Sequence, residues 1–292
     1  MSVTAGTTHP TAELIAFAAN GWAFRDAVRA PARELVAAIV LRAVAGAHSA
    51  AVEIAAADSP RPARLRARAI GRAAVTTPLH AAFLTGLAAG EDAVLATPVV
   101  AAAFALGESV DAPGATVLDA IVAGTEVAAR VEGALGAGHR DRGWDTRGTC
   151  GRLGAAIAAG RILGLQRDAM RDAFGIAATA ASGLTAARGT MTAAFIVAAA
   201  AADGIEAALL ARAEFTGAPL ALEGRRGLAA LMSPSFDAES ILAGLGETFV
   251  FGSKPPTAAP DIPATAALRA LVARLERLAS IRELIDATVA PA

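Results

Sequence analysis

The 292-residue chain is poor in the residues that build disulfides and metal sites, with one cysteine and four histidines. A single cysteine, Cys150, excludes an internal disulfide and any metal site made from several cysteines. The histidines show neither an H-E-x-x-H motif nor any paired spacing, so a histidine-built zinc site is not expected. They are His9, His48, His80 and His139. We therefore expect no metal ion and no cofactor.

An excess of charge of either sign is also missing. The chain has 26 lysine and arginine residues against 27 aspartate and glutamate residues, which gives a net charge of -1. No basic patch dominates the sequence, and this argues against a nucleic-acid partner. One local cluster is interpreted as a solvated face, with contact to an anion as the alternative: Arg61, Arg64, Arg66, Arg68 and Arg72.

No uncharged apolar run is long enough for a membrane span. The longest, residues 93–106 and 191–202, are too short to cross a bilayer. Residues 1–10 lack the cationic and apolar regions of a secretory signal. We therefore expect a soluble cytoplasmic protein without a membrane partner. Hydrophobic residues still make up 55% of the chain, which predicts helices buried on several sides and a large subunit interface.

Alternating β-type patterns are nearly absent, and residues 248–251 form the only plausible strand. Alanine, leucine, arginine and glutamate dominate the long segments and favour helices. Thr116 and Asp119 have the spacing of a capping box, and Pro31 is placed in the first turn of its helix. The sequence predicts an all-α protein, with one helical domain over residues 1–292. Its helices are expected at residues 11–24, 31–47, 78–89, 93–106, 116–135, 149–163, 168–181, 192–213, 222–231, 238–245, 264–278 and 281–289.

A polar turn at residues 142–151 stands between two alanine-rich helical segments. It reads Arg-Gly-Trp-Asp-Thr-Arg-Gly-Thr-Cys-Gly. Thr149 is expected to cap the following helix, whose exposed N–H groups would bind an anion; capping alone is the alternative. Arg147 is a candidate clamp for a substrate carboxylate, and a surface ion pair is the alternative. Trp144 is interpreted as a pocket wall or as simple packing, and Cys150 as a packing residue.

Other polar residues are candidates for the same pocket. His139 precedes the turn and His80 lies in an apolar segment; each is a candidate acid or base, or else a solvated or satisfied histidine. Glu91 and Asp92 interrupt two apolar helices, and one of them is expected to enter a pocket unless the segment is a solvated turn. Glu91 is the candidate binding residue.

The polar turn resembles the Arg-Gly-Phe-His-Pro-Thr-Gly-Thr-Cys-Gly segment of the MmgE/PrpD family, which includes 2-methylcitrate dehydratase and cis-aconitate decarboxylase. The flanking residues 119–130 and 154–165 look alike too, and the similarity runs from about residue 12 to residue 275. The resemblance implies a large helical domain, a smaller α+β lid and a homodimer. The chain stops roughly where the lid would begin, so we expect the helical domain alone.

The catalytic residues of the family are replaced in this chain. Asp145 stands in place of the catalytic histidine, and Ala193 and Ile196 stand in place of a lysine and a histidine. Asp145, if buried among apolar groups, would have a raised pKa and act as acid or base near neutral pH; an Asx-type turn residue is the alternative. Lys254, the only lysine, lies in a matching Lys-Pro segment, so the resemblance makes it a possible carboxylate contact or a solvated lysine.

Two functions are compatible with these residues. The first is a divergent lyase-like enzyme that needs no cofactor and transfers a proton next to a carbonyl or carboxylate, by elimination, isomerisation or cyclisation. Its substrate would be a small anionic or carbonyl-containing molecule, in keeping with specialised metabolism. The second is a non-catalytic pseudoenzyme that serves as a binding or scaffold dimer. A deep pocket at Asp145 and Arg147 favours the enzyme, and a broad exposed apolar face favours the scaffold.

Overall fold

The fold is all-α, as the composition predicts. The structure is a computed structural model that describes residues 9–253, 260–262 and 264–289. Within these ranges the helices are α1 (Pro10–Ala18), α2 (Asp26–Gly46), α3 (Ala50–Ala56), α4 (Pro78–Ala89), α5 (Thr97–Ser109), α6 (Gly114–Asp141), α7 (Cys150–Ile162), α8 (Arg167–Thr179), α9 (Met191–Arg212), α10 (Leu228–Met232), α11 (Ala238–Leu242), α12 (Thr265–Val272) and α13 (Arg282–Thr288). Short 3₁₀ turns lie at Thr185–Ala187, Phe251–Ser253 and Leu275–Arg277.

Helices α4, α5, α6, α7 and α9 pack against one another and form the centre of the molecule. Small residues allow their backbones to approach closely. At the crossing of α6 and α7, a Cβ added to Gly124 would lie 2.4 Å from the carbonyl oxygen of Gly154, and the reverse distance is also 2.4 Å. The abundant alanine of the sequence therefore serves close helix packing, with helices buried on most sides.

The C-terminal segments belong to the same core. Leu268, Leu275 and Leu284 are buried in the hydrophobic cluster that contains the central helices. Two backbone hydrogen bonds tie this region to the start of α6: the amide of Gly114 donates to Leu278, and the amide of Ile281 donates to the carbonyl of Ala112. These contacts join the C-terminal segments to the central helices.

Several predicted boundaries are wrong for local reasons. Helix α1 ends at Ala18, because the chain turns at Gly21 with a φ of 66°. Helix α2 begins at Asp26, so Pro31 lies inside the helix rather than in its first turn. The predicted capping box is absent: α6 begins at Gly114, and the carboxylate of Asp119 binds the side chain of Arg29.

The strand prediction is wrong as well. Residues 248–251 form no strand, and the amides of Val250 and Phe251 donate to the carboxylate of Glu126. The sheet that does occur is a two-residue antiparallel pair, β1 (Ala67–Arg68) with β2 (Val75–Thr76). Strands this short leave no alternating pattern to detect in a sequence.

Helix α9 is longer than its uncharged run and passes a length and composition test for a membrane span, as does the bent pair α2–α3 taken together. In α9, 61% of the most apolar window is buried within the fold. The core helix of a globular protein passes the same test, so α9 is weak evidence for a membrane protein.

Candidate active-site cleft

An open cleft of about 1120 Å³ lies against the polar turn. The loop before α5, one face of α6 and the 3₁₀ turn Thr185–Ala187 form its other walls. Polar and charged side chains line it on several sides: Glu91, Asp92, Thr125, Glu132, Arg140, Asp145, Thr146, Arg147, Thr185 and Arg188. Trp144, Val250 and Phe251 contribute aromatic and apolar surface. The cleft is therefore polar enough, and large enough, for a small polar molecule.

Backbone geometry positions the polar turn. Helix α6 is kinked at Gly136, where φ is 64°, and it resumes as far as Asp141 rather than stopping at the glycine. Gly143 then takes a φ of 89° and reverses the chain. Trp144 pairs as an antiparallel bridge with Leu184, and the amide of Asp145 donates to Gly183 at 3.0 Å. The turn is thus fixed to the segment that follows α8.

Asp145 and Arg147 form a buried ion pair in the cleft wall. The guanidinium donates from Nε to Oδ1 at 2.9 Å and from Nη2 to Oδ2 at 2.6 Å. The backbone amide of Arg147 also donates to Oδ1 at 2.9 Å, which is the hydrogen bond of an Asx turn. The exposed fractions of the two side chains are 6% for Asp145 and 12% for Arg147. Short bidentate contacts of this kind are the strong form of an ion pair.

The expectation of a raised pKa for Asp145 is wrong. Burial acts to raise the pKa, but the hydrogen bonds and charge of Arg147, together with the charge of Arg188, outweigh it and lower the pKa below its ordinary value. Asp145 is therefore ionised at neutral pH while Arg147 holds it. The prediction failed because burial was weighed without the partner that comes with it.

Arg147 is not a free clamp in this conformation, and it is not a surface ion pair either. Besides binding Asp145, its Nη1 donates to the carbonyl of Glu91 at 2.5 Å and to that of Ala93 at 3.2 Å. The Oε1 atom of Glu91 in turn accepts from the amide of Gly189 at 3.0 Å. Arg147 and Glu91 thereby join three loops around the cleft, and both line it as predicted.

Thr149 and His139 lie behind the cleft rather than in it. Thr149 is fully buried and is not among the residues that line the cleft, and its hydroxyl makes no capping bond to α7, so the predicted cap is wrong. The carbonyl of Met232 can only accept, so Nδ1 of His139 carries the proton and donates to it at 3.2 Å. Nε2 lies 2.9 Å from the hydroxyl oxygen of Thr149, which is also 3.2 Å from the carbonyl oxygen of Asp145.

His139 supports the cleft indirectly. Its ring is stacked with that of Trp144, with 6.4 Å between centroids and 17° between planes. It is buried, and the expectation of a solvated histidine is wrong. Burial lowers its pKa, with the nearby Arg140 adding to the effect and the bond to Met232 opposing it. The buried imidazole thus packs against the indole of Trp144 and is not among the residues that line the cleft.

His80 is separate from the cleft. Its Nε2 is 3.0 Å from the hydroxyl of Ser59, and its ring stacks on Phe83. Burial lowers its pKa. The structure therefore brings together Asp145, Arg147, Trp144 and Glu91, and it does not bring in His80 as an acid or base. Lys254 lies outside the described residues.

Sequence reasoning missed Thr125. This threonine lies on the cleft face of α6, is 3% exposed, and its hydroxyl has no hydrogen-bond partner among the described residues. A buried hydroxyl without a partner costs free energy, and polar ligand atoms commonly supply the missing bond. The sequence predicts only that Thr125 lies in a helix at residues 116–135, and such a prediction does not show which helix face meets a cavity.

Glu126 and Arg130 were also missed, and they hold the apolar wall of the cleft in place. They form a buried ion pair one helical turn apart, with Nε to Oε1 at 2.6 Å. Oε2 of Glu126 accepts from the amides of Val250 and Phe251. The guanidinium of Arg130 donates to four backbone carbonyls, those of Ile241, Ala243, Gly244 and Thr248. Charges buried this deeply are tolerated because each is fully bonded.

Among the residues that the structure describes, no group of three or more histidine, cysteine, aspartate or glutamate side chains converges as a metal site. Cys150 is fully buried, and burial raises its pKa to about 12. A thiol of that kind is unreactive, so the packing interpretation of Cys150 is confirmed.

Comparison with models of protein families gives a match over most of the chain. The family model of the MmgE/PrpD N-terminal domain matches residues 14–241. This range contains the polar turn, the kinked helix α6 and every cleft residue named above except Val250 and Phe251. A search of curated proteins finds no match.

Proposed function

We propose, from the premise that this chain belongs to the MmgE/PrpD family, that it is a lyase-like enzyme acting on a small molecule in the cleft. Members of the family are dehydratases and lyase-like enzymes. The proposed chemistry is proton transfer next to a carbonyl or carboxylate, leading to elimination, isomerisation or cyclisation without a cofactor. The observation that carries the proposal is the cleft, whose wall contains the buried pair Asp145–Arg147.

A substrate carboxylate would exchange with Asp145 on the guanidinium of Arg147. The fork of Arg147 already binds a carboxylate in bidentate fashion, so the same geometry suits a substrate anion. Asp145 would then remain buried but lose its main hydrogen-bond partner. This loss would raise the pKa of Asp145 and make it a stronger base. Substrate binding would in this way prepare the base that acts on the substrate.

The proton transfer follows from that arrangement. Asp145 takes the proton from the carbon next to the carbonyl or carboxylate, so a C–H bond breaks and an O–H bond forms. The electron pair moves to the carbonyl oxygen, where the positive charge of Arg147 stabilises it. In an elimination the pair then returns to form a carbon–carbon double bond, the bond from the neighbouring carbon to the leaving group breaks, and the leaving group takes up the proton held by Asp145. Thr125, with its unpartnered hydroxyl, is placed to donate to the substrate, and Trp144 and Glu91 line the pocket.

The alternative is a non-catalytic scaffold or binding dimer. The observation in its favour is that Asp145 and Arg147 satisfy each other, while both central histidines, His80 and His139, lie outside the cleft lining. The cleft itself favours the enzyme, because a pure scaffold has no need for a cavity of this size with charged walls. We further propose a soluble, cytoplasmic homodimer active in specialised metabolism.

Exchange of carbon-bound hydrogen for deuterium tests the proposal without a known substrate. The protein is incubated in deuterated water with 2-oxoglutarate, oxaloacetate, citrate and acetoacetate, and deuterium uptake is followed by NMR. The wild type is expected to catalyse uptake, and Asp145→Asn to slow it by about 10²–10⁴-fold, the usual contribution of a general base. Asp141→Asn, an exposed aspartate four residues earlier, is the control. Unchanged uptake in a folded Asp145→Asn protein would remove Asp145 from the mechanism.

A further inference from the structure

A second cavity, of about 490 Å³, lies beneath the segment 182–190. It shares no lining residue with the cleft. Its floor is the first half of α9, where four residues follow helical spacing and form one face: Thr192, Phe195, Ile196 and Ala199. Leu184, Ala186 and Ala187 form the roof, and the rim is open, with Phe195 50% exposed. The cavity is mostly apolar and has the size of a small-molecule pocket.

Arg152 is the only charged residue that lines this cavity among the described residues. It projects from α7 and is 2% exposed. Nη1 donates to the hydroxyl of Ser182 at 3.2 Å, and Nη2 lies 3.2 Å from Oδ2 of Asp203. Nε is buried and has no hydrogen-bond partner among the described residues. A buried guanidinium N–H without an acceptor is unfavourable, so an oxygen atom that accepted from Nε would stabilise this arrangement.

We propose that this cavity is a second small-molecule site, which takes a ligand with an apolar body and a single carbonyl or carboxylate oxygen directed at Arg152. The apolar roof and floor bury the body of the ligand, which supplies the main driving force. The oxygen accepts from the guanidinium and completes its hydrogen bonding. Burial also lowers the pKa of Arg152, against the opposing charge of Asp203. An additional acceptor therefore stabilises the charged form.

The position of the site connects it to the cleft. The roof segment carries Leu184, Ala186 and Ala187 toward the second cavity, and Thr185 and Arg188 toward the cleft. Its amides and carbonyls also bond to the polar turn, at Gly143 and Asp145. The two sites thus lie on opposite sides of one short wall, although the second site does not depend on the chemistry proposed for the first.

Binding of two seven-carbon probes tests the proposal, with 2-heptanone as the neutral carbonyl and heptanoate as the carboxylate. Heptylamine, which has the same chain and no oxygen, is the reference. Saturation-transfer NMR is expected to show at least one oxygen-bearing probe bound at least tenfold more tightly than heptylamine. The stronger of the two identifies the oxygen that the site takes. Equal binding of all three probes would overturn the role of Arg152.

Two variants locate the bound probe. Ala199→Met fills the cavity from α9 and leaves Arg152 and the cleft residues unsubstituted, and it is expected to weaken binding at least tenfold. Ala230→Met, an exposed alanine of α10 outside both cavities, is the matched control and should bind as the wild type does. Undiminished binding by Ala199→Met would overturn the proposal. A second pair of results would also overturn the proposal: the wild type binds no probe, and Ala199→Met no longer self-associates. In that case a second copy of the chain covers the cavity.

Discussion

At the scale of single residues, the cleft depends on a carboxylate whose charge is fixed by a partner two positions along the chain. The carboxylate of Asp145 accepts hydrogen bonds from both the backbone amide and the side chain of Arg147. Because its pKa in the folded protein is below the ordinary value, the pair stabilises the fold above the unfolded-state pKa. That contribution is lost as the pH falls through the folded-state pKa.

Arg147→Met is expected to reverse the pH dependence of this contribution. Asp145 would remain buried without its main partner, so its pKa would rise above the ordinary value, and stability would then decrease as the pH increases through that range. Removing one partner of a buried pair costs about 3–5 kcal/mol. Urea unfolding at several pH values, with a carbon-13 NMR titration of Asp145, measures both effects.

Arg171→Met is the control for that variant. Arg171 pairs with Asp168 at the protein surface, where loss of an ion pair costs about 0–1 kcal/mol. An Asp145 pKa that does not rise in Arg147→Met would show that Arg147 is not what holds the carboxylate ionised.

Thr125 is a buried polar residue whose hydroxyl is expected to contribute little to stability, in contrast to Arg147. Thr125→Val deletes a hydroxyl without a partner, so the free energy of unfolding should change by less than about 1 kcal/mol or increase. Thr85→Val is the matched comparison. The hydroxyl of Thr85 accepts from the buried amide of Ile70 at 3.1 Å, and its loss should cost about 1–3 kcal/mol. Equal losses in the two variants would show that Thr125 has a structural partner.

The residue types of the polar turn could be predicted from the sequence, but their partners could not. The sequence correctly indicated that Trp144, Asp145 and Arg147 line a pocket. It could not show that Arg147 would reach the carbonyl of Glu91, 56 positions earlier, because such contacts depend on how the helices pack. His139 was expected near the pocket, and only the structure shows it buried behind Trp144.

At the scale of elements, most helices were predicted and their ends were not. The helix predicted at residues 116–135 ends just before Gly136, yet α6 resumes after the kink at this glycine and continues to the polar turn. Glycine lowers helix propensity without deciding whether tertiary contacts restore the helix on the other side. The start of helix α5 was also predicted wrongly. Val94 was placed in the helix, but its amide donates to the hydroxyl of Thr97, the residue at which the helix begins.

The crossing of α6 and α7 tests whether small residues set the distance between helices. Gly154→Ala would place a Cβ 2.4 Å from the carbonyl oxygen of Gly124, so the helices must separate. We expect a loss of about 1–3 kcal/mol, the usual cost of overpacking. Gly133→Ala, in the same α6 with open space around the added Cβ, should instead increase stability by about 0.4–1 kcal/mol. Thermal and urea unfolding of both variants distinguish packing from helix propensity, since propensity alone would stabilise both.

At the scale of the whole molecule, the core extends beyond the part that matches the family. The family model ends at residue 241, whereas Leu268, Leu275 and Ile285 are buried in the same hydrophobic cluster as the central helices. The sequence predicted one helical domain over residues 1–292. In the structure, α12 contacts α2 and the turn Leu275–Arg277 contacts α6, so the single domain stays a prediction that unfolding experiments can test.

If the chain unfolds as a single cooperative unit, a destabilising substitution in the C-terminal part should also lower the stability of the cleft region. Leu275→Ala removes a fully buried side chain beside α6 and should cost about 2–5 kcal/mol. In a Trp22→Phe background, the fluorescence of Trp144 reports the cleft alone, and its urea transition should shift together with the far-UV circular dichroism signal. Leu231→Ala, at an exposed leucine, should leave both transitions in place. If the C-terminal part unfolded as a separate unit, Leu275→Ala would lower the stability of that unit alone. The Trp144 transition would then stay at the wild-type urea concentration.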